Sequence, residues 1–265
     1  MERPAARGGD FSNVDAHDVQ ALIAYLDAAT DLGSQDKRES YRAQGIGPGM
    51  AVLDAGCGTG DDVRAIAALV GALGSVVGID PSAAMIGEAR QRGVPPNARF
   101  LQAPCSALAF EDGTFDACRA ERVFQHLLDP EEAARELYRV TKVCGTVLLV
   151  DQDWESLVLA GADGGLTRRI AHAYASGLAS GNAGSTHRGL LRRAGFSQVT
   201  TSALVAMPTL TTAFPQFLNA AVDYALEAQT VLPEEAHRWL LSLMNAEAAG
   251  EFLCAVTVFF TLARR

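Results

Sequence analysis

The chain has 265 residues, 49% of them hydrophobic and 20% charged, which is enough to bury a full core and typical of one soluble globular unit. Its net charge of -9 and isoelectric point near 5.0 argue against a nucleic-acid partner, because phosphate binding needs clustered Lys and Arg, and favour a small-molecule substrate. Met1 to Asp10 is polar and lacks an apolar signal region, and no run is long enough to cross a bilayer, so a cytoplasmic protein without membrane insertion is expected.

In chain order, residues 13–45 read as an N-terminal helical cap and residues 46–206 as an alternating α/β core. Ala51 to Ala55 is the first strand. It leads into Gly56-Cys57-Gly58-Thr59-Gly60 and a helix from Asp61 to Gly71 with Val63, Ile66 and Val70 on one face. Glycines at such a turn let the backbone fold tightly and a ligand approach where a Cβ would collide. A dinucleotide site wants a further glycine where Asp61 stands, and Asp61 and Asp62 at the helix start would repel a pyrophosphate. A nucleoside ligand bearing positive charge fits better.

Val76 to Asp80 is the second strand, ending in an acid placed to accept both ribose hydroxyls, and Ser82 caps a helix running to Arg92. Arg99 to Gln102 and Phe115 to Arg122 are strands three and four. The next helix has the clearest start: Asp129 as N-cap, Pro130 at the first position, Glu131 and Glu132 in the first turn. Gly145 to Asp151 is strand five, Thr186 to Ala194 a helix closed by Gly195, and Ser197 to Ala206 and Glu251 to Leu262 the last two strands. Between these, residues 207–250 form a helical insertion with two amphipathic patterns, Phe214, Phe217, Leu218, Ala221 and Val222, then Trp239, Leu240, Leu243 and Met244. They serve as a lid over a pocket, or cover the sheet or a homodimer surface. The five cysteines show no metal-ligand spacing and read as reduced; no metal is expected.

The glycine turn, the acid twenty residues on, Phe115-Asp116-Ala117, Glu121 to Leu127 and the strand from Gly145 follow one another as in a known family. Over roughly residues 20 to 200 the sequence resembles the class I S-adenosylmethionine-dependent methyltransferases, most closely the small-molecule branch that includes quinone-biosynthesis enzymes. The resemblance implies a Rossmann-like three-layer α/β sandwich whose sheet of seven strands is mostly parallel with an antiparallel last strand, the two final strands pairing antiparallel at one edge. It also implies S-adenosyl-L-methionine as cofactor. Gly56, Cys57, Gly58 and Gly60 then lie under its methionine half, with Asp54 fixing the loop or reaching the amino group through water. Asp80 and Pro81 lie at the ribose, Met85 packs on the adenine, and Glu121 and Arg122 stand at the methionine end, an ion pair between them being the alternative.

Asp151, Asp153, Trp154 and His187 are expected on the substrate side, Trp154 either stacking on a flat acceptor or only packing. His126 is the candidate general base; the other reading has it packing in the turn before Leu127 and Asp129. His172 is a weaker candidate. Two positions depart from the family pattern. Pro104 stands where an acid usually holds the adenine amine, which leaves that task to Cys105 and Ser106, and Val143-Cys144-Gly145 replaces a Pro-Gly-Gly turn. The expected function is methyl transfer to oxygen, nitrogen or carbon of a small, hydrophobic natural-product or quinone-like acceptor. Two alternatives stay open: a non-methylating reaction such as a cyclisation with the cofactor as a structural element, and a noncatalytic cofactor-binding protein.

Overall fold

Branched and small apolar residues at Val52, Leu53, Val76, Val77, Ile79 and Val147 to Val150 are buried on both faces of the sheet, as strands covered by helices must be. The computed structural model describes residues 37–265. Within them a helix at 37–44 (α1) precedes β1 (Ala51–Ala55), α2 (Asp61–Val70), β2 (Ser75–Asp80), α3 (Ala83–Gln91), β3 (Ala98–Gln102) and β4 (Phe115–Glu121). After a 3₁₀ turn (Phe124–His126) come α4 (Pro130–Val140), β5 (Thr141–Ala160), α5 (Gly164–Gly177), α6 (Ala183–Arg193) and β6 (Ser197–Ala206). The chain ends with α7 (Leu210–Ala213), a π-helical turn (Phe214–Leu218), α8 (Asn219–Glu227), α9 (Pro233–Ala249) and β7 (Leu253–Arg264).

The seven strands lie in the order β3-β2-β1-β4-β5-β7-β6, and β7 runs antiparallel to both β5 and β6, so the expected fold class is the observed one. The chain order reverses between β1 and β4. The crevice at the carboxyl ends of those two strands is where an open α/β sheet binds its ligand. Both expected helix starts are present: Ser82 accepts from the Met85 amide at 3.2 Å, and Asp129 from the Glu132 amide at 2.9 Å.

Three elements differ from the sequence expectation. Strand β5 spans 20 residues, because its far half continues to pair with β7 after β4 has ended at the Glu121–Val150 pair. Helix α5 follows it with no start signal beyond Asp163, which caps the Leu166 amide at 2.7 Å. Helix α6 starts at Ala183 rather than Thr186. The expected N-terminal cap of 13–45 lies outside the described residues up to 36. The insertion packs its apolar stripes inward: Phe217, Leu218, Ala221, Trp239 and Leu243 join Trp154, Ile170 and Val256 in a core of their own. That core stands beyond the carboxyl ends of β1 and β4. The Trp239 indole is satisfied there by Thr167 Oγ1 at 2.9 Å.

The two ends of α2 separate strain from packing. Gly60, its N-cap, has φ +84°, and a Cβ would sit 2.6 Å from the buried Phe100 ring; Gly71, its C-cap, has φ +65° with open space around it. Gly60→Ala should therefore lose roughly 2–4 kcal/mol and Gly71→Ala only about 1 kcal/mol in chemical denaturation. Equal losses would mean that the ring is not what excludes a side chain at Gly60.

Candidate functional site

The glycine turn is held from below by β2. The Gly56 and Cys57 amides donate to the Ile79 carbonyl at 2.7 and 2.8 Å. Gly56 has φ +76°, and a Cβ there would overlap Val123, so the turn leans directly against the segment after β4. Asp80, at the end of β2, accepts from the Gly58 amide at 3.0 Å and the Ser82 amide at 2.9 Å. A carboxylate offers about four lone-pair positions, so two remain for a ligand's hydroxyls. Burial raises the Asp80 carboxyl above its ordinary range, and the two amides oppose that rise. Its charge reaches both Cys57 and Cys105, which sets the glycine turn and the loop after β3 around one carboxylate. Both thiols are buried and pushed up, Cys105 to about 11, so they are neutral packing groups at physiological pH. Met85 is buried, while Pro81 and Ser106 are half-buried at the rim.

On the other side of the turn lies a cluster that sequence reasoning missed. Arg119, in the middle of β4, is 0% exposed. Its guanidinium stands 3.0 Å from Asp62, 2.8 Å from Glu121 and 3.8 Å from Asp54. It also donates to Ser40 Oγ at 3.2 Å and sits 4.6 Å above the Tyr41 ring. From α1, Lys37 reaches Asp62 at 2.7 Å and Glu121 at 3.5 Å. Burial, then the Asp62 charge, pushes the Asp54 carboxyl up; at Asp62 burial acts the same way, but Arg119 and Lys37 outweigh it and hold that carboxyl low. The signal that could have found this site is an arginine inside a strand whose other central residues are apolar, since a buried charge needs partners. The alternative of a Glu121–Arg122 ion pair gives way to Glu121 pairing with Arg119 and Lys37.

Three carboxylates therefore meet two cations, leaving the cluster one positive charge short when all are ionised. A cationic amino group bound beside the glycine turn would supply that charge. The residues present fit S-adenosylmethionine on this ground: Asp54, Glu121 and the glycine turn could hold its methionine half, and Asp80, with two acceptor positions left, its ribose.

The segment after β4 is tightly constrained. Arg122 has a left-handed backbone, φ +59°, and its amide donates to the Val150 carbonyl at 2.7 Å. Strain of this kind persists only where the surroundings enforce it. His126 ends the 3₁₀ turn, half-buried at its surface, and burial followed by the Arg122 charge lowers its pKa to about 4. The imidazole is thus neutral at physiological pH.

The expected substrate-side residues take other places. Asp151 and His187 are both wholly buried, with His187 Nε2 3.2 Å from Asp151 Oδ2 but off the axis of a good hydrogen bond, so neither faces an acceptor. The reason is register: the side of β5 that carries Val147 and Leu149 also carries Asp151, and that side is covered by α4 and α6. Asp153 accepts from the Glu155 amide at 3.0 Å, within the irregular stretch where β5 loses register with β7. Trp154 is packed against Tyr174 and Phe217, and its indole donates to Gln125 Oε1 at 2.7 Å. His172 is exposed on α5. Among the described residues no His, Cys, Asp and Glu cluster could hold a metal.

Comparison with known proteins agrees with this geometry. Residues 53–149, which run from the glycine turn through Asp80 to β5, match a methyltransferase domain family. An uncharacterised 37.1 kDa protein in transposon TN4556 of Streptomyces fradiae is 32% identical over 248 residues, covering 91% of this chain and 71% of that protein. The ubiquinone/menaquinone biosynthesis C-methyltransferase UbiE of Idiomarina loihiensis is 34% identical over 148 residues, or 52% of this chain; the match spans only 59% of that enzyme. The fold is also that of Haemonchus contortus phosphoethanolamine N-methyltransferase 2, solved in complex with S-adenosyl-L-methionine, with a TM-score of 0.62 at 17% identity over 100% of this chain and 61% of that one. The chain belongs to the class I S-adenosylmethionine-dependent methyltransferases.

Proposed function

We propose that this protein transfers a methyl group to a small, hydrophobic, natural-product or quinone-like acceptor that enters between the glycine turn and the helices α5 and α7 to α9. The observation that carries the reading is the convergence, at the crevice between β1 and β4, of the glycine turn, the Asp80 carboxylate and a buried cluster of three carboxyl groups around two cations. The kinship with a quinone C-methyltransferase supports a flat or greasy acceptor.

S-adenosylmethionine, when bound, supplies an electrophilic methyl group that reacts by in-line displacement, so the protein's contribution is mainly alignment. Asp80 and the glycine turn hold the ribose and methionine parts. The strained Arg122 and the turn after it set the wall on the methyl side. For a hydroxyl acceptor, His126 would take the acceptor's proton during transfer, and the protonated imidazole would return it to water.

Asp80→Ala should weaken S-adenosylmethionine binding at least about 100-fold by calorimetry, the loss of two charge-assisted hydrogen bonds, while thermal melting shows a folded protein. Unchanged affinity would remove the ribose role. His126→Ala should lower turnover of a phenolic acceptor by roughly 10²–10³-fold with cofactor affinity unchanged; full activity would make His126 a packing residue. Because the neutral imidazole is the active form and its pKa is lowered to about 4, the rate should stay level from pH 8 down to about pH 5.5 and fall only as pH approaches 4. A midpoint near 6.5 would place His126 in open solvent. Release of S-adenosylhomocysteine with a panel of phenolic, quinone and polyketide acceptors tests the whole reading. An acceptor transformed without gaining a methyl group, the cofactor staying intact, would replace it with a structural role for the cofactor.

A further inference from the structure

The 3₁₀ turn that ends in His126 lacks the local cap such a turn needs. Its N-cap position is Val123, a side chain that accepts no hydrogen bond. Valine is required there for another reason: its methyl groups fill the space left by the absent Cβ of Gly56, wedging the glycine turn. The amides of Phe124 and Gln125 are buried, and they find their acceptor on a different element. Asp151 Oδ2 accepts from Phe124 at 3.2 Å and Oδ1 from Gln125 at 3.4 Å.

A buried carboxylate in that role needs a partner of its own. His187 stands 3.2 Å from Oδ2. The edge of the Phe124 ring meets its imidazole at 5.6 Å between centroids and 81° between planes. His187 comes so close because Gly184, one turn earlier on α6, lets that helix lie against β5; a Cβ on Gly184 would stand 2.5 Å from the Asp151 carbonyl. Neither ring nitrogen of His187 has another partner, and the residue is wholly buried. Such an imidazole is costly to keep unless its placement matters. On the far side, the turn is tied by the Ser180 amide to the Gln125 carbonyl at 3.0 Å and by the Trp154 indole to the Gln125 side chain.

We infer that Asp151 and His187 are positioning residues for His126: Asp151 is the long-range cap of the turn Phe124–His126, and His187, held to β5 through Gly184, fixes the carboxylate that does the capping. The inference rests on the reading of His126 as a functional group, and it takes the place of the substrate-contact role expected for Asp151 and His187 from sequence.

The experiment is NMR titration of histidine-labelled protein, following the His126 ring in the wild type and in Asp151→Ala, His187→Leu, His187→Gln and Gly184→Ala. Thermal melting and S-adenosylhomocysteine calorimetry accompany each variant. Loss of the cap opens the turn to water, so in Asp151→Ala and His187→Leu the His126 titration should move up from about 4 by about one unit or more. In His187→Gln, whose amide keeps a polar group of similar reach beside Asp151, it should stay near the wild-type value. Gly184→Ala changes no ionisable group but displaces α6; its upward shift keeps the test available if His187→Leu does not fold. A His126 titration that is the same in every folded variant would overturn the positioning role. An equal shift in His187→Gln and His187→Leu would overturn the part assigned to His187. No acceptor enters these measurements, so failure to find methyl transfer would leave their outcome intact.

Discussion

A guanidinium with no access to water dictates the architecture of the methionine end of this protein. Arg119 cannot shed its charge, and moving it out of water without compensation would cost more than any single contact returns. Its partners must therefore be supplied, and they come from Asp54 on β1, Asp62 on α2 and Glu121 two residues further along its own strand. Those elements flank the glycine turn on every side. Fixing the charges fixes the turn, and α1 is drawn down onto them through Lys37, Ser40 and Tyr41. Three carboxyl groups around two cations suit a cationic ligand, whose approach favours the ionised form of Asp54, and do not suit a diphosphate, which is the distinction that Asp61 and Asp62 already make in the sequence.

The same economy governs the segment after β4. Val123 serves the glycine turn, so it cannot serve the turn that follows it, and the capping acceptor is brought from β5. One wedge thus couples the cofactor side of the crevice to the side that carries His126. A change at Gly56, Val123, Asp151 or His187 acts on a single connected arrangement, and their effects should not add.

What the sequence made legible was whatever depends on local chemistry. The glycines of the turn, the acid at the end of β2, and the caps Ser82 and Asp129 act on neighbours within a few residues, and each stands where its residue type demands. What escaped was set by distance along the chain. Whether Asp151 faces a ligand or a helix depends on the register of β5 against α6, and the pairing of Arg119 with Asp54 joins residues with no local relation. Strand β5 was underestimated because its second half, from Asp151 to Ala160, mixes charged and apolar residues without clean alternation, and only pairing with β7 makes it a strand.

That second half of β5 also explains why the helical insertion exists. Beyond Val150 the strand has no partner on its β4 side; β6 flanks β7 only as far as the Ala206–Val256 pair, and past it β5 and β7 alone form a two-stranded arm of marginal stability. Burying one face of the arm is what can hold it out past the rest of the sheet. Trp154, Leu157 and Leu159 from β5, and Cys254 and Val256 from β7, find that cover in α5, α8 and α9. The insertion is thus first a support for the arm. The arm in turn stands beside the crevice opposite the glycine turn. A wall built on its own core can vary in shape without disturbing the Arg119 cluster.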